Sequence, residues 1–238
     1  MSNGIKVKKR NGRGVEPLDL EKIHVMVEEA CKGVAGVSAS QVEIQSGIQL
    51  YDGITTAEIQ EILIKSASDL IDLENPNYQF VAARLLLFSV RKSLYGRCRD
   101  IPSLEEHIIK CVGEEVYDAD IYSKYSKEDI EKANGYIDHD RDFIFTYAGL
   151  RQVVDKYLVQ DRSTNQVYET PQFMYMMIAL TIFANYPKQT RLNYVRRYYN
   201  AISKHKINIP TPIMAGVRTP IRQFASCVLV DIDDTLDS

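Results

Sequence analysis

The sequence has few cysteines and no long apolar run. Its four cysteines contain no Cys-x-x-Cys pair, which argues against a disulfide scaffold and a zinc site. Cys98, His107 and Cys111 lack a fourth ligand and a familiar spacing, so no metal site is predicted. No stretch approaches the roughly 18 to 20 apolar residues of a membrane span, and the first residues lack the apolar region of a secretion signal. These absences predict a soluble, cytoplasmic protein without a membrane partner.

The sequence also lacks a large excess of either charge. It has 29 lysines and arginines against 32 aspartates and glutamates, a formal net charge of -3. Such a balance provides no global attraction to nucleic acid or to an anionic membrane. Nucleic acid is therefore not a predicted partner, and any binding of phosphate must be local.

The first 95 residues have the pattern of a small sheet on a helical bundle. Alternating apolar residues predict a short β-hairpin with its turn at Asn11-Gly12. Apolar residues at helical spacing then predict four helices. Ser40 with Glu43 and Thr55 with Glu58 fit capping boxes that open the second and third helices. The fourth should run from about residue 78 to Gly96, and we expect residues 1–95 to form one domain.

The pattern changes after residue 96 to short, polar-capped helical segments. A turn is predicted over 161–166, followed by stronger helices over 171–185 and 190–204. Prolines at 210, 212 and 220 predict a stretch without regular helix. Residues 224–232 read as a buried strand that needs a partner strand. A strand without a later partner favours the interpretation that the sequence is part of something larger.

Six cations are concentrated on particular elements of the first domain. They could converge on one triphosphate, with the start of the first helix adding backbone N–H donors. A solvated basic edge that protects a small sheet is the alternative, and the charges alone leave both open. These cations are Lys8, Lys9, Arg10, Lys22, Arg91 and Lys92.

Long motifs resemble a known family. VKKRNGRGVEPLDLEKIH, YDGITTAEI and NYQFVAARLLLFSVRK are similar to the ATP-cone domain that opens many ribonucleotide reductase large subunits. YETPQF and LNYVRRYYNAISKHKINIPTPIMAGVRTPIRQFASCVLVDIDDTLDS extend the resemblance over essentially the whole sequence. The sequence is identified as resembling the N-terminal part of the large (alpha) subunit of class I ribonucleotide reductases.

The resemblance implies a mainly α (α+β) fold in three parts. Residues 1–95 would be the ATP-cone, with a small β-hairpin cap on a four-helix bundle. Residues 96–210 would be the helical N-terminal domain of the large subunit. Residues 211–238 would begin a ten-stranded α/β barrel, present here only as its first strand.

The resemblance also implies an allosteric site for ATP or dATP with Mg²⁺. Gln60 and Ser89 stand where histidines occur in well-known enterobacterial relatives, which puts the discrimination between ATP and dATP in doubt. Harmless drift on an exposed face is the alternative explanation. The implied effector contacts are Lys9, Glu16, Pro17, Leu18, Asp19, Leu20, Glu21, Lys22, Thr56 and Lys92.

A second set of residues is implied for chemistry. Cys227 would be one of two redox-active thiols, and Thr211 and Ser226 would contact the ribonucleotide substrate together with Cys227. Without the motif, Cys227 would be read as an inert core cysteine on a strand. Asp234, Thr235 and Leu236 would form the start of the specificity site, where an effector nucleotide decides which base is reduced.

The implied activity is reduction of ribonucleoside diphosphates to deoxyribonucleoside diphosphates by radical and dithiol chemistry. The implied partners are a complementary C-terminal part of the large subunit, a small subunit with a di-metal radical cofactor, a second large subunit, and thioredoxin or glutaredoxin as reductant. We expect the present residues to be inert alone. A truncated product that retains only ATP/dATP binding is the alternative. A free-standing ATP-cone regulator would need a DNA-binding module and a zinc site, and neither is evident.

The remaining candidates have structural interpretations. Cys31 and Cys111 lie on apolar helical faces and are expected in the core, whereas Cys98 is expected in an exposed linker. His139, between two aspartates, fits a charged turn before a helix.

Overall fold

The computed structural model describes residues 4–9, 12, 14–221 and 223–230 and is mainly helical. None of the helices in those ranges is long and apolar enough to cross a membrane. The chain forms two compact units: residues 1–102 with 138–156, and residues 103–137 with 157–238. Residues 138–156 lie in sequence within the expected second domain, 96–210, but they pack in the first unit.

The hairpin of the first unit holds the loop that precedes the third helix. Strands β1 (Lys6–Lys8) and β2 (Val15–Pro17) pair antiparallel, as predicted. The outer edge of β1 bonds the loop 52–55: the Lys8 N–H donates to the Ile54 carbonyl at 2.8 Å, and the Gly53 N–H donates to the Lys6 carbonyl at 2.8 Å. This pairing satisfies the backbone groups of β1 on both sides.

Four helices of the first unit lie close to the predicted ranges. They are α1 (Leu20–Cys31), α2 (Ala39–Gly47), α3 (Thr56–Asp69) and α4 (Tyr78–Tyr95). The capping box of Thr55 and Glu58 is present at the start of α3. The predicted box at Ser40 is wrong, because α2 begins two residues earlier than an N-cap at Ser40 requires, with Ser38 at the N-cap, and Ser38 makes no side-chain cap bond.

The helix α4 is the centre of the first unit. It packs against α1, α3, α8 (Tyr147–Gln152) and a 3-10 helix (His139–Ile144). Most of its side chains are therefore buried, including Leu85 and Leu87 without exposure. Gly96 ends α4 with φ of 75°, a left-handed conformation that favours glycine.

The second unit is built around a largely apolar, buried helix, α9 (Pro171–Ile182). It also contains α5 (Leu104–Gly113), α6 (Ile121–Lys124), α7 (Lys127–Asn134), α10 (Arg191–Ile202) and α11 (Thr211–Gly216). The first ten residues of α9 are buried, and α9 packs against α10 and α11. A short hairpin of β3 (Gln160–Asp161) and β4 (Gln166–Val167) has its turn where one was predicted.

Two expectations for the end of the chain are wrong. The proline-rich stretch contains the helix α11, because Pro212 lies in its first turn, where a missing N–H costs nothing. The described part of the expected strand, residues 224–230, forms no strand and is exposed, including Leu229 and Val230. A lone strand leaves its backbone groups unpaired, and no other described segment pairs with it. Residues 231 and 232 of that strand lie outside the described residues.

Candidate functional site

A cavity of about 930 Å³ lies inside the first unit. Its wall is formed by the hairpin, one side of α1 as far as Glu29, the beginning of α3, the end of α4, residues 97–101, and His139, Asp140 and Phe143. Seven of the ten predicted effector contacts line it, namely Glu16, Pro17, Leu18, Asp19, Lys22, Thr56 and Lys92. The fold therefore gathers side chains from four separate elements around one space of the size that small molecules occupy.

Glu16 organises two of the predicted cations at this wall. Its carboxylate is 3.0 Å from Lys9 Nζ and 3.8 Å from Lys22 Nζ. The hydrogen bond from Lys9 is the largest influence on Glu16 and lowers its pKa, and the charge of Lys22 acts in the same direction. Lys9 is thereby tied to the cavity wall, although it does not itself line the cavity. An anion that approaches would meet both ammonium groups.

The start of α1 is less open than expected. The Asp19 carboxylate accepts from the Glu21 N–H at 3.1 Å and the Lys22 N–H at 3.3 Å. Two of the backbone donors that could have bound a phosphate are therefore already occupied. Leu20 and Glu21 do not line the cavity, whereas Asp19 and Lys22 do. At the start of α1, the side chains of Asp19 and Lys22 are therefore the principal candidates for contact with a ligand.

Thr56 is positioned by the hairpin and by the cap of α3. The Thr55 hydroxyl accepts from the Glu58 N–H at 3.1 Å, and the Glu58 carboxylate accepts from the Thr55 N–H at 2.8 Å. Together with the pairing of Lys8 to Ile54, this cap fixes the first turn of α3 at the cavity wall.

Gln60 is a buried wall residue, so the explanation of drift on an exposed face is wrong for it. It is 2% exposed, and its Nε2 donates to the Leu85 carbonyl at 3.0 Å. That bond fixes the amide of α3 against α4. Ser89 is partly buried and does not line the cavity.

Arg91 and Lys92 lie at the cavity end of α4 with different roles. Arg91 is buried and bonds Asp142 Oδ2 at 2.9 Å and the His139 carbonyl at 2.8 Å through Nη2. Lys92 is partly buried and lines the cavity. Arg10 lies outside the described residues, and Lys8 is exposed and does not line the cavity. The six candidate cations therefore do not all lie in the wall of the cavity.

Sequence reasoning missed the far wall of the cavity. His139, expected as a charged turn, begins a 3-10 helix, and burial with the nearby Arg91 charge lowers its pKa to about 4. Cys98, expected to be exposed, is partly buried, and its thiol lies 3.6 Å from the Phe88 carbonyl. The only signal in the sequence was the cluster of charges around these two residues.

The predicted substrate residues lie on an exposed part of the second unit. Thr211 begins α11 and is exposed, while Ser226 and Cys227 are exposed neighbours in the segment 223–230. No hydrogen bond between described residues joins Thr211 to either of them. Asp234, Thr235 and Leu236 lie outside the described residues.

A buried charge network that the sequence did not reveal lies beside α11. Arg218 forms an ion pair with Glu169, and neither side chain is exposed. Glu169 also accepts from the Val159 N–H at 2.7 Å and from the Tyr117 hydroxyl. Arg218 further donates to the carbonyls of Met214 and Tyr157. The network connects the end of α11 to the β3–β4 hairpin.

Cys111 and Cys31 differ in their burial. Cys111 is buried, as expected, and burial raises the pKa of its thiol to about 12. Cys31 is only partly buried, so the expectation that it lies in the core is wrong. Its partial burial still raises the pKa of its thiol to about 11. Both thiols are held in the protonated form, which is not the reactive one.

Comparison with known proteins identifies both parts of the chain. Residues 5–93 match the model of the ATP cone domain, and residues 143–222 match the model of the ribonucleotide reductase all-alpha domain. The cavity wall at the hairpin, α1, α3 and α4 therefore lies within the ATP cone match, whereas residues 97–101 and 139–142 lie outside both matches.

Matches to curated relatives, which cover all or most of this chain, agree with these models. The chain is 48% identical over 238 residues to ribonucleoside-diphosphate reductase 1 subunit alpha of Escherichia coli K12 and 49% identical to the alpha subunit of Haemophilus influenzae. Each match covers 100% of this chain and 31% of the relative. The alpha subunit of Enterobacteria phage T4 is 44% identical over 94% of the chain and 29% of its own length. The chain thus spans about a third of the length of these relatives and matches their N-terminal region.

Proposed function

We propose that the cavity of the first unit binds ATP and dATP, with Mg²⁺ on the phosphates, as allosteric effectors. The observation that carries this proposal is the gathering of seven predicted effector contacts around one cavity inside the ATP cone match. The Lys9–Glu16–Lys22 group provides cations close to the wall, and Lys92 adds one on α4. Ammonium groups suit phosphate oxygens, which supports a triphosphate as ligand.

The experiment is calorimetric titration of the 238-residue chain with ATP and with dATP in the presence of Mg²⁺. We expect saturable binding that is lost when Lys9 and Lys92 are changed together to alanine. Lys65→Ala is the matched control, because Lys65 is an exposed lysine of the same unit that pairs with Asp69 and does not line the cavity. Absence of binding in a folded chain would contradict the proposal, as would equal loss in the Lys65 variant.

We further propose that the chain contributes to the reduction of ribonucleoside diphosphates to deoxyribonucleoside diphosphates. In the net reaction the 2′-hydroxyl leaves as water, while two thiols provide two electrons and become a disulfide. Cys227 would be one of these thiols, and Thr211 and Ser226 would contact the substrate. The exposure of Cys227 is consistent with a thiol that exchanges with another.

This activity would need residues that correspond to the rest of the alpha-subunit relatives. We propose that residues 224–232 become a barrel strand when partner strands are present, since the exposed apolar side chains of Val228, Leu229 and Val230 then gain a core. Asp234, Thr235 and Leu236 would follow as the start of the specificity site. The domains would be 1–95, 96–210 and 211–238.

The proposed assembly includes a second alpha subunit, a small subunit that carries the di-metal radical cofactor, and thioredoxin or glutaredoxin as reductant, all in the cytoplasm. Mixing the chain with a complementary C-terminal alpha fragment and the small subunit tests it. We expect deoxyribonucleoside diphosphate to appear only with all three components, and to be abolished by Cys227→Ser. Product formation that survives Cys227→Ser would contradict the proposed role of this thiol.

A further inference from the structure

The buried ion pair of Arg218 and Glu169 is not explained by stability alone. Neither side chain is exposed, so both charges have lost their water. Pairs of this kind often stabilise a fold no better than apolar residues of the same volume do. Their better-attested use is to fix one arrangement of the segments that they join. The other partners of the pair therefore indicate what it holds in place.

Arg218 fastens the end of the helix α11. Its guanidinium donates to the carbonyl of Met214 in α11 and to the Tyr157 carbonyl, the latter at 2.9 Å. Its own backbone carbonyl accepts from the Asp118 N–H at 3.0 Å. The last carbonyls of a helix have no partner within the helix and need donors from outside it. Arg218 supplies such a donor and ties α11 to two segments that are distant in the sequence.

Glu169 sets the orientation of that guanidinium. Its carboxylate accepts from both Nε and Nη2 of Arg218, a bidentate arrangement that fixes angle as well as distance. Glu169 is held in turn, because it also accepts from the Val159 N–H at 2.7 Å and from the Tyr117 hydroxyl. The guanidinium that fastens α11 is therefore itself fixed.

The helix that is fixed in this way begins with Thr211, a proposed substrate contact. Thr211 is exposed, and Met214 lies three residues later, on the same side of the helix. Three residues of helix span about 4.5 Å, which is less than one turn. A displacement of Met214 therefore moves Thr211 by a similar amount. A misplacement of about 1 Å can lower a reaction rate about a hundredfold.

We propose that Arg218 and Glu169 are positioning residues for Thr211 in the reduction of ribonucleoside diphosphates. They do not touch the substrate, because both side chains are fully buried. They fix α11, and α11 presents the Thr211 side chain to the substrate. The inference rests on the proposed function, because the pair has this task only where Thr211 contacts a ribonucleotide.

The anchoring of α11 is measured first, on the 238-residue chain. Hydrogen exchange of the amides in 213–217 reports on this helix. Arg218→Lys keeps the charge but loses the fork of donors, and we expect it to speed this exchange about tenfold or more. Arg191→Lys is the control, because Arg191 is a buried arginine of the same unit whose ion pair is with Asp129 on α7. Unchanged exchange in a folded Arg218→Lys variant overturns the proposal.

A milder substitution decides the matter if Arg218→Lys does not fold. Tyr117→Phe removes one hydrogen bond to Glu169 and changes no charge. We expect it to speed exchange in 213–217 about threefold or more. Tyr125→Phe is its control, because the Tyr125 hydroxyl is also buried but donates to the Leu180 carbonyl. Equal exchange in these two variants overturns the anchoring.

Coupling to Thr211 separates positioning from a purely structural role. The assay is reduction of a ribonucleoside diphosphate by the chain with a complementary C-terminal alpha fragment and the small subunit. Arg218→Lys alone should lower kcat/KM about tenfold or more. Because Arg218 acts through Thr211, the variant with both Arg218→Lys and Thr211→Ala should be no slower than Thr211→Ala alone. Losses that multiply in the double variant overturn the positioning role.

The same assay distinguishes this inference from the proposed function. Arg191→Lys should keep the kcat/KM of the unchanged chain. Product formation whose kcat/KM is unaffected by Arg218→Lys and by Tyr117→Phe overturns the inference and leaves the proposed function standing. Absence of product from the unchanged components overturns the proposed function, and the positioning role is overturned with it.

Discussion

Glu169 and Arg218 form an ion pair in which neither side chain is exposed, and the arginine Nε lies 2.9 Å from one carboxylate oxygen. Removing one charge of such a pair leaves the other buried without compensation. We expect Glu169→Gln to lower the free energy of unfolding by about 3–5 kcal/mol in urea denaturation followed by circular dichroism.

The control for that prediction is an exposed pair in the same unit. Glu105 lies 3.1 Å from Lys127; the Lys127 side chain is largely exposed and the Glu105 side chain is 41% exposed. Glu105→Gln should change the unfolding free energy by less than about 1 kcal/mol. Equal effects of the two substitutions would show that burial does not control the strength of these pairs.

The two helix caps of the first unit make a second matched comparison. The Thr55 side chain caps α3, whereas Ser38 stands at the N-cap of α2 without a side-chain cap bond. Thr55→Ala should cost about 1 kcal/mol of unfolding free energy, and Ser38→Ala should cost only a small fraction of that. Thermal unfolding of both variants measures the difference, and a larger effect at Ser38 would contradict these caps.

His24 should stabilise the first unit most at low pH. Its Nδ1 lies 2.8 Å from the Glu43 carboxylate, and this hydrogen bond raises the pKa of His24. A raised pKa means that the folded state binds the proton more tightly, so the contribution is fully present below the ordinary value of about 6.5 and is lost as pH rises through the folded value. The difference in Tm between the unchanged chain and Glu43→Gln should therefore be larger at about pH 6 than at about pH 8.5, because His24 is protonated to a greater extent at the lower pH. A difference that grows with pH would contradict this sign.

In contrast to His24, His139 should destabilise the folded chain as the pH falls. Burial and the Arg91 charge lower its pKa to about 4, so the unfolded chain takes up a proton from about pH 6.5 downward while the folded chain does not. Between about pH 6.5 and pH 4, the lowered pKa of His139 should therefore reduce the free energy of unfolding by about 3 kcal/mol. Urea denaturation of His139→Gln should lose correspondingly less stability between neutral and acidic pH. An identical acid profile in both proteins would contradict the burial of His139.

The cysteines should differ in reactivity. Cys227 is exposed, whereas Cys111 is buried and its pKa is raised to about 12. Iodoacetamide labelling of the folded chain, mapped by mass spectrometry, should modify Cys227 first and Cys111 only after unfolding. Faster labelling of Cys111 than of Cys227 in the folded chain would contradict the described environments.

The sequence predicted those elements whose signals are local. The capping box at Thr55, the end of α4 at Gly96 and the turn before β4 all depend on residues within a few positions. The effector candidates came from the family resemblance, and seven of the ten line one cavity.

The features that were missed depend on distant partners. Arg91 and Asp142 are separated by 51 positions, and no local pattern indicates that they meet. Glu169 and Arg218 are 49 positions apart, and no local pattern indicates that they form a buried pair. The strand at 224–232 was predicted from its apolar residues, but a strand also needs a neighbour to receive its hydrogen bonds, and the described part, 224–230, forms no strand.

The packing of α8 on α4 also has a consequence for the growing chain on the ribosome. The ribosome synthesises α8 only after residues 103–137, which belong to the other unit. During that time the face of α4 that packs against α8 stays uncovered. Nascent chains that stall before residue 147 would present this apolar face to chaperones or to one another.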